Sequence, residues 1–130
     1  MVKRLLIVIA LLIALFSFGA ASWVYVGLPI PWFLLRSSFD SAEWKGQKQI
    51  SDDVRIRMID DLLRRYNFQG MTREQVVEIL GEPDQTSYFK DWDMVYWLGP
   101  ERGFVRIDSE WLVFQLDGRG RVAEHRIIPD

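Results

Sequence analysis

The chain has 130 residues, with 16 Lys and Arg against 18 Asp and Glu, and it contains no cysteine. This length accommodates one small domain with appendages. The net charge of -2 argues against nucleic acid as a partner, because a basic face supplies most of the affinity of such complexes. The absence of cysteine excludes a disulfide scaffold, a thiolate metal site and a cysteine nucleophile.

The N-terminal 26 residues contain one long apolar run. Lys3 and Arg4 precede residues 5–26, a stretch of 22 positions without a charge. As a helix this stretch covers roughly 33 Å, enough to span a hydrocarbon core of about 30 Å. The sequence predicts a transmembrane anchor over residues 1–26, which meets the lipid bilayer through residues 5–26. The positive-inside rule places the N-terminus in the cytoplasm. A signal peptide cleaved after Ala21 is the alternative, and it exports the same residues.

The following residues, 27–50, have no regular period. Pro29 and Pro31 prevent the spanning helix from simply continuing. We interpret residues 27–50 as a juxtamembrane segment and linker, in which Phe39 and Trp44 leave open some docking onto the domain that follows.

A first helix is predicted from a cap at Ser51 to about Asn67, because Ile59, Leu62 and Leu63 recur at helical spacing.

A second, shorter helix has clear boundaries. Thr72 and Gln75 stand in capping-box spacing. Gly81 is suited to a left-handed stop, and Pro83 prevents the helix from resuming. A helix of about two turns is not stable alone in water, so this one must pack against the rest of the domain.

Beyond Pro83 the pattern changes to short β-type runs. Asp117 and Gly118, with Gly120, predict a hairpin between the last two. The order predicts an α+β domain over residues 51–130, with two short helices packed on one face of a three- or four-stranded antiparallel sheet. The runs cover residues 86–89, 94–98, 104–107, 111–116 and 121–128.

The short helix and the turn after it carry a recognisable motif. Together with Trp97 and a Leu-Asp-Gly hairpin, the motif resembles the SmpA/OmlA family, also called BamE-like domains, over residues 51–128. The resemblance implies an extracytoplasmic module that acts through protein contacts in bacterial envelope assembly, without catalysis, a cofactor or a small-molecule substrate. The motif consists of Gly70, Met71, Thr72, Val76, Leu80, Gly81, Pro83 and Asp84.

The N-terminus departs from the family pattern. Members of the outer-membrane assembly complex resemble lipoproteins, in which a cysteine after the signal carries the lipid. Ser22 follows Gly19, Ala20 and Ala21 in this chain, and without cysteine no lipid can be attached by that route. The sequence therefore predicts a single-pass protein of the bacterial inner membrane with an extracytoplasmic domain and an envelope or membrane protein as its partner.

Residues with catalytic potential are few. A small metal-dependent or hydrolytic enzyme using Asp91, Asp93 and His125 is the alternative function. We favour structural roles for these residues, because no clustered ligands or nucleophile motif accompany the single histidine. The sequence therefore predicts a protein that is not an enzyme and has no metal site.

The density of aromatic residues is the strongest functional signal. Alternation along a strand points Leu112, Phe114 and Leu116 toward the helices. Trp111 and Val113 then lie on the opposite face of the sheet. That outer face is covered either by residues 27–50 or by another protein, since large exposed apolar patches are uncommon without a purpose. The predicted partner-binding residues are Tyr96, Trp97, Trp111 and Val113.

Overall fold

The computed structural model describes residues 32–47, 53–102 and 107–130. No helix within these ranges is long and apolar enough to cross a membrane. The predicted anchor over residues 1–26 lies outside them, as do the predicted cap Ser51 and most of the run 104–107.

The described residues form an α+β fold. The strands make one antiparallel sheet in the order β1-β2-β3. The predicted α+β class and antiparallel sheet are thus confirmed, with three strands and with three helices in the described residues instead of the predicted two. The predicted strand over residues 86–89 is wrong because this segment bends. The elements are a 3-10 turn η1 (Trp32–Leu35), the helices α1 (Ser41–Gly46), α2 (Val54–Arg65) and α3 (Arg73–Leu80), and the strands β1 (Met94–Pro100), β2 (Ser109–Leu116) and β3 (Val122–Pro129).

Both ends of α3 follow the sequence prediction. The hydroxyl of Thr72 accepts a hydrogen bond from the Gln75 amide at 3.3 Å, and Gln75 Oε1 accepts one from the Thr72 amide at 2.9 Å. This is the predicted capping box. At the other end Gly81 donates its amide to the Val77 carbonyl at 2.7 Å. Its φ of 80° has the predicted sign, but its ψ of -178° lies in a region that only glycine populates readily.

Replacing Gly81 by alanine is expected to lower the free energy of unfolding by about 1–3 kcal/mol, the usual cost of such a backbone conformation for other residues. The added Cβ would also lie 3.2 Å from Cγ of Lys45. Urea unfolding measures the effect. Gly118→Ala is the matched control, since Gly118 has neither a positive φ nor an atom within 4 Å of an added Cβ. Equal stability of the two variants would contradict the prediction.

The segment interpreted as a linker contributes to the domain. Ser41–Gly46 is a helix, capped by the Asp40 carboxylate, which accepts the Glu43 amide at 2.8 Å. Phe39 and Trp44 are buried, so the docking that the sequence left open does occur. The amide of Phe39 donates to Asp61 of α2 at 2.7 Å, and this hydrogen bond lowers the pKa of Asp61. Helix α2 begins at Val54, slightly later than predicted.

The main core lies between the helices and one face of the sheet. Leu112 and Phe114 of β2 are fully buried there, and Leu116 packs at its margin. The predicted direction of these side chains is therefore confirmed. The helices contribute Ile59 and Leu62 from α2, and the same core contains Phe39, Trp44, Ile56, Met58, Phe68, Val76, Leu80, Met94, Tyr96, Leu98 and Val122.

Chain segments outside the strands bond to both edges of the sheet. At the β1 edge, the Asp84 amide donates to the Val95 carbonyl at 2.9 Å, and the Trp97 amide donates to the Asp84 carboxylate at 2.7 Å. At the β3 edge, the Gly70 amide donates to the Val122 carbonyl at 2.9 Å, and the Val122 amide donates to the Met71 carbonyl at 2.8 Å. Each edge strand thus has partners on both sides over part of its length.

Candidate functional site

The sheet face that points away from the helices carries a second apolar cluster. We call this the outer face. Val95, Trp111 and Val113 are buried there, and other apolar side chains pack against them. Residues 84–93, which we call the cover segment, supply Phe89 and Trp92 to this cluster. The covering element thus differs from both alternatives that the sequence predicts, residues 27–50 and another protein.

The cover segment is fixed at its two ends. Asp84 bonds to β1, as described above, and at the other end the Asp93 amide donates to the Phe114 carbonyl at 3.0 Å. The Asp93 carboxylate also accepts the Leu116 amide at 2.6 Å. Between these ends Phe89 has a φ of 57° and accepts the Trp92 amide at 2.9 Å, which closes a tight turn. This turn places the Phe89 ring on the sheet.

Trp111 lies at the centre of the outer face. It is 7% exposed, and its ring centroid is 5.9 Å from that of Tyr88 and 5.7 Å from that of Phe89. Its Nε1 donates to Oδ2 of Asp130 at 3.1 Å. Trp111 is therefore buried by residues 84–93 and 130 of its own chain, which differs from the sequence-based expectation that residues 27–50 or another protein would cover it.

An open groove of about 440 Å³ lies beside Trp111. Its aromatic walls are Tyr88, Trp97 and Trp111, and Tyr88 is 58% exposed. Tryptophan and tyrosine are among the residue types that most often dominate binding at the centre of a protein interface. The polar lining comes from Gln47, Arg55, Asp84, Gln85, Thr86, Ser109 and Asp130.

A buried arginine stands behind this groove. The Arg55 guanidinium donates to the Asp84 carboxylate at 2.8 Å and to the Trp97 carbonyl at 3.2 Å. It also donates to the Trp44 carbonyl at 3.2 Å and lies 5.4 Å from the centre of that ring. Arg55 is 6% exposed, so protein groups rather than water surround most of its guanidinium. These contacts join α1, α2, the cover segment and β1.

The structure brings together three of the four predicted partner-binding residues. Trp97, Trp111 and Val113 share the outer face. Tyr96 does not, because successive side chains along β1 point to opposite faces. Its ring is buried in the main core, where its hydroxyl donates to the Gly81 carbonyl at 2.8 Å and burial raises its pKa. Tyr88 was missed as a site residue because residues 86–89 were interpreted as a strand.

The residues named for the alternative enzymatic function, Asp91, Asp93 and His125, do not form a shared site. His125 packs against the rings of Phe68 and Phe114, with centroids 5.7 and 5.9 Å away, and partial burial lowers its pKa. Asp93 bonds to the backbone, and Asp91 is exposed. In the described part of the chain no group of three or more His, Asp or Glu side chains could hold a metal ion.

The described residues form a small α+β domain with an aromatic groove on the outer face of its sheet. Residues 63–125 match the model of the outer membrane protein assembly factor BamE domain, so this part of the chain is a BamE (SmpA/OmlA) domain. The family recognised from the sequence motif is thus confirmed. BamE domains belong to non-catalytic assembly factors, which confirms for this domain the prediction that it is not an enzyme. Comparisons with curated proteins and with solved structures found no significant match.

Proposed function

We propose that the chain is an accessory or assembly factor of the bacterial envelope that acts by binding other envelope proteins. The observation that carries this proposal is the BamE domain over residues 63–125, whose family description is that of an outer membrane protein assembly factor. Proteins of the outer-membrane assembly complex are accordingly the partners that we propose. The chain supplies no lipid-bearing cysteine, and we propose that residues 5–26 tether it to the inner membrane instead.

We propose the outer face and its groove as the partner-binding surface. Trp97 and Trp111 line the groove, and Val113 lies in the buried cluster on the same face. Tyr88 is the ring that a partner would reach first, since more than half of it is exposed. An aromatic side chain with these surroundings commonly dominates the binding free energy when a partner covers it.

The proposal is tested with a Tyr88→Ser variant in cells that lack the wild-type chain. We expect the variant to accumulate normally, because Tyr88 is exposed, but to restore outer membrane protein levels poorly. Loss of a central aromatic contact usually weakens binding by about 2 kcal/mol or more, roughly a thirtyfold change in affinity. Quantitative immunoblotting of outer membrane proteins and of the chain itself gives both readouts.

Arg119→Ser is the matched control for this test. Arg119 is exposed in the β2–β3 hairpin, and it does not line the groove. Full restoration by Tyr88→Ser, at a chain level equal to that of the control, would refute the proposed surface. If the wild-type chain itself has no effect on outer membrane proteins, the assembly role fails.

A further inference from the structure

The turn η1 exposes three consecutive large apolar side chains. Phe33 is 53% exposed, Leu34 is 65% exposed and Leu35 is 40% exposed. Single exposed apolar residues are normal on protein surfaces, but a contiguous apolar patch usually marks a surface that something else covers. In the described residues the other large exposed apolar side chains, Tyr88 and Ile107, lie elsewhere in the sequence.

Three arginine side chains lie near Ser37 and Ser38, the residues that follow this patch. The Ser37 amide donates to the Arg57 carbonyl of α2 at 3.0 Å, which lays the chain after η1 along that helix. Arg57 and Arg64 are seven positions apart on α2 and therefore share a helix face. Both line an open polar cavity of about 400 Å³ together with Arg36. Arg36 pairs with Asp60 and Arg64 pairs with Asp61, so three arginines against two aspartates leave one net positive charge in this cavity.

An apolar patch flanked by arginines fits the interface of a lipid bilayer. Apolar side chains of such an element enter the boundary between headgroups and acyl chains, while long basic side chains reach the phosphates. The position of η1 in the chain favours this occupant over a partner protein. Five residues separate it from the uncharged run 5–26, and the six steps along the chain from Val26 to Trp32 reach at most about 22 Å. If that run spans the membrane, η1 starts within this distance of its end.

We propose that Phe33, Leu34 and Leu35 insert into the extracytoplasmic leaflet and hold the domain against the membrane. In this arrangement the α2 face carrying Arg57 and Arg64 lies at the headgroups. The inference rests on the proposed tether through residues 5–26, and it adds a second, shallow contact that fixes which side of the domain meets the lipid.

The absence of native cysteine permits a direct test in the full chain. Leu34→Cys, labelled with a polarity-sensitive fluorophore, is reconstituted into phosphatidylcholine vesicles with or without lipids that carry a nitroxide near the headgroup. Arg119→Cys, in the exposed β2–β3 hairpin, is the matched control. We expect the emission of the label at position 34 to shift to the blue and to be mostly quenched by nitroxide lipid. The emission of the label at position 119 should neither shift nor be quenched.

The outcomes separate the inserted turn from the tether. Flotation of the chain with the vesicles reports the tether. A chain that floats while the label at position 34 behaves like the label at position 119 overturns the inserted turn alone. A blue-shifted label at position 34 that nitroxide lipid does not quench also overturns it, because protein then covers Leu34. A chain that does not float overturns both proposals.

Discussion

A Trp111→Ala variant is expected to lose about 3–5 kcal/mol of unfolding free energy, the usual cost of truncating a buried aromatic residue. Trp111 is 7% exposed and packs against Val95 and Val113. The truncation also removes its ring contacts with Tyr88 and Phe89 and the hydrogen bond from Nε1 to Asp130. Since small domains are only marginally stable, much of the variant should be unfolded at 37 °C. Urea unfolding followed by far-UV circular dichroism measures the loss.

Tyr88→Ser is the control for Trp111→Ala. The two rings touch, but Tyr88 is mostly exposed, so its loss should cost about 1 kcal/mol or less, the range of a single aromatic contact. Equal stability of the two variants would mean that the cover segment does not pack on Trp111 in solution. The outer face would then be available to another protein, which is one of the two alternatives that the sequence left open. A much larger loss of unfolding free energy in Trp111→Ala than in Tyr88→Ser would show that Trp111 stabilises the fold. Tyr88 would then be the residue to test in partner binding.

Asp84→Ala is expected to lower the free energy of unfolding by about 3 kcal/mol, the lower end of the range for breaking a buried ion pair by removing one partner. The loss leaves the buried Arg55 guanidinium without its carboxylate and the Trp97 amide without its acceptor. The lower end applies because the Asp84 side chain is 35% exposed, so that water can partly replace it. The measurement is again the urea midpoint and slope.

The neighbouring Glu82 offers a matched carboxylate. Its side chain is 75% exposed, and it pairs with Arg73 at 3.2 Å, so Glu82→Ala should change stability by less than about 1 kcal/mol. Combining Asp84→Ala with Arg55→Met should cost less than the two single changes added together, because the double variant buries no unpaired charge. Additive losses would show that the ion pair does not account for the effect of Asp84.

Local signals in the sequence predicted much of the fold. The capping box at Thr72 and Gln75 depends on residues three positions apart, and the facing of Leu112 and Phe114 depends on the pleat of one strand. Both rules act within a single element, so they hold without knowledge of tertiary contacts. The family motif reflects the same local features around Gly81 and Asp84.

The parts that the sequence did not predict depend on distant contacts. Residues 86–89 have the composition of a strand, but a positive φ at Phe89 and its bond to Trp92 turn the chain back onto the sheet. Helix α1 has only six residues, and such a short helix forms because Trp44 is buried in the main core. The pair between Arg55 and Asp84 joins residues 29 positions apart, a separation that no spacing rule detects.

The partners of the two sheet edges bear on self-association. An edge strand with free amides and carbonyls is a template for pairing with another chain, and a sheet of three strands has two such edges. Asp84 occupies part of one edge by bonding at Val95 and Trp97, and the turn at Gly70 and Met71 occupies part of the other. The residues that occupy the two edges all belong to the short motif around α3. A helix-and-turn segment of this kind therefore protects the sheet against edge-to-edge aggregation, in addition to its packing role.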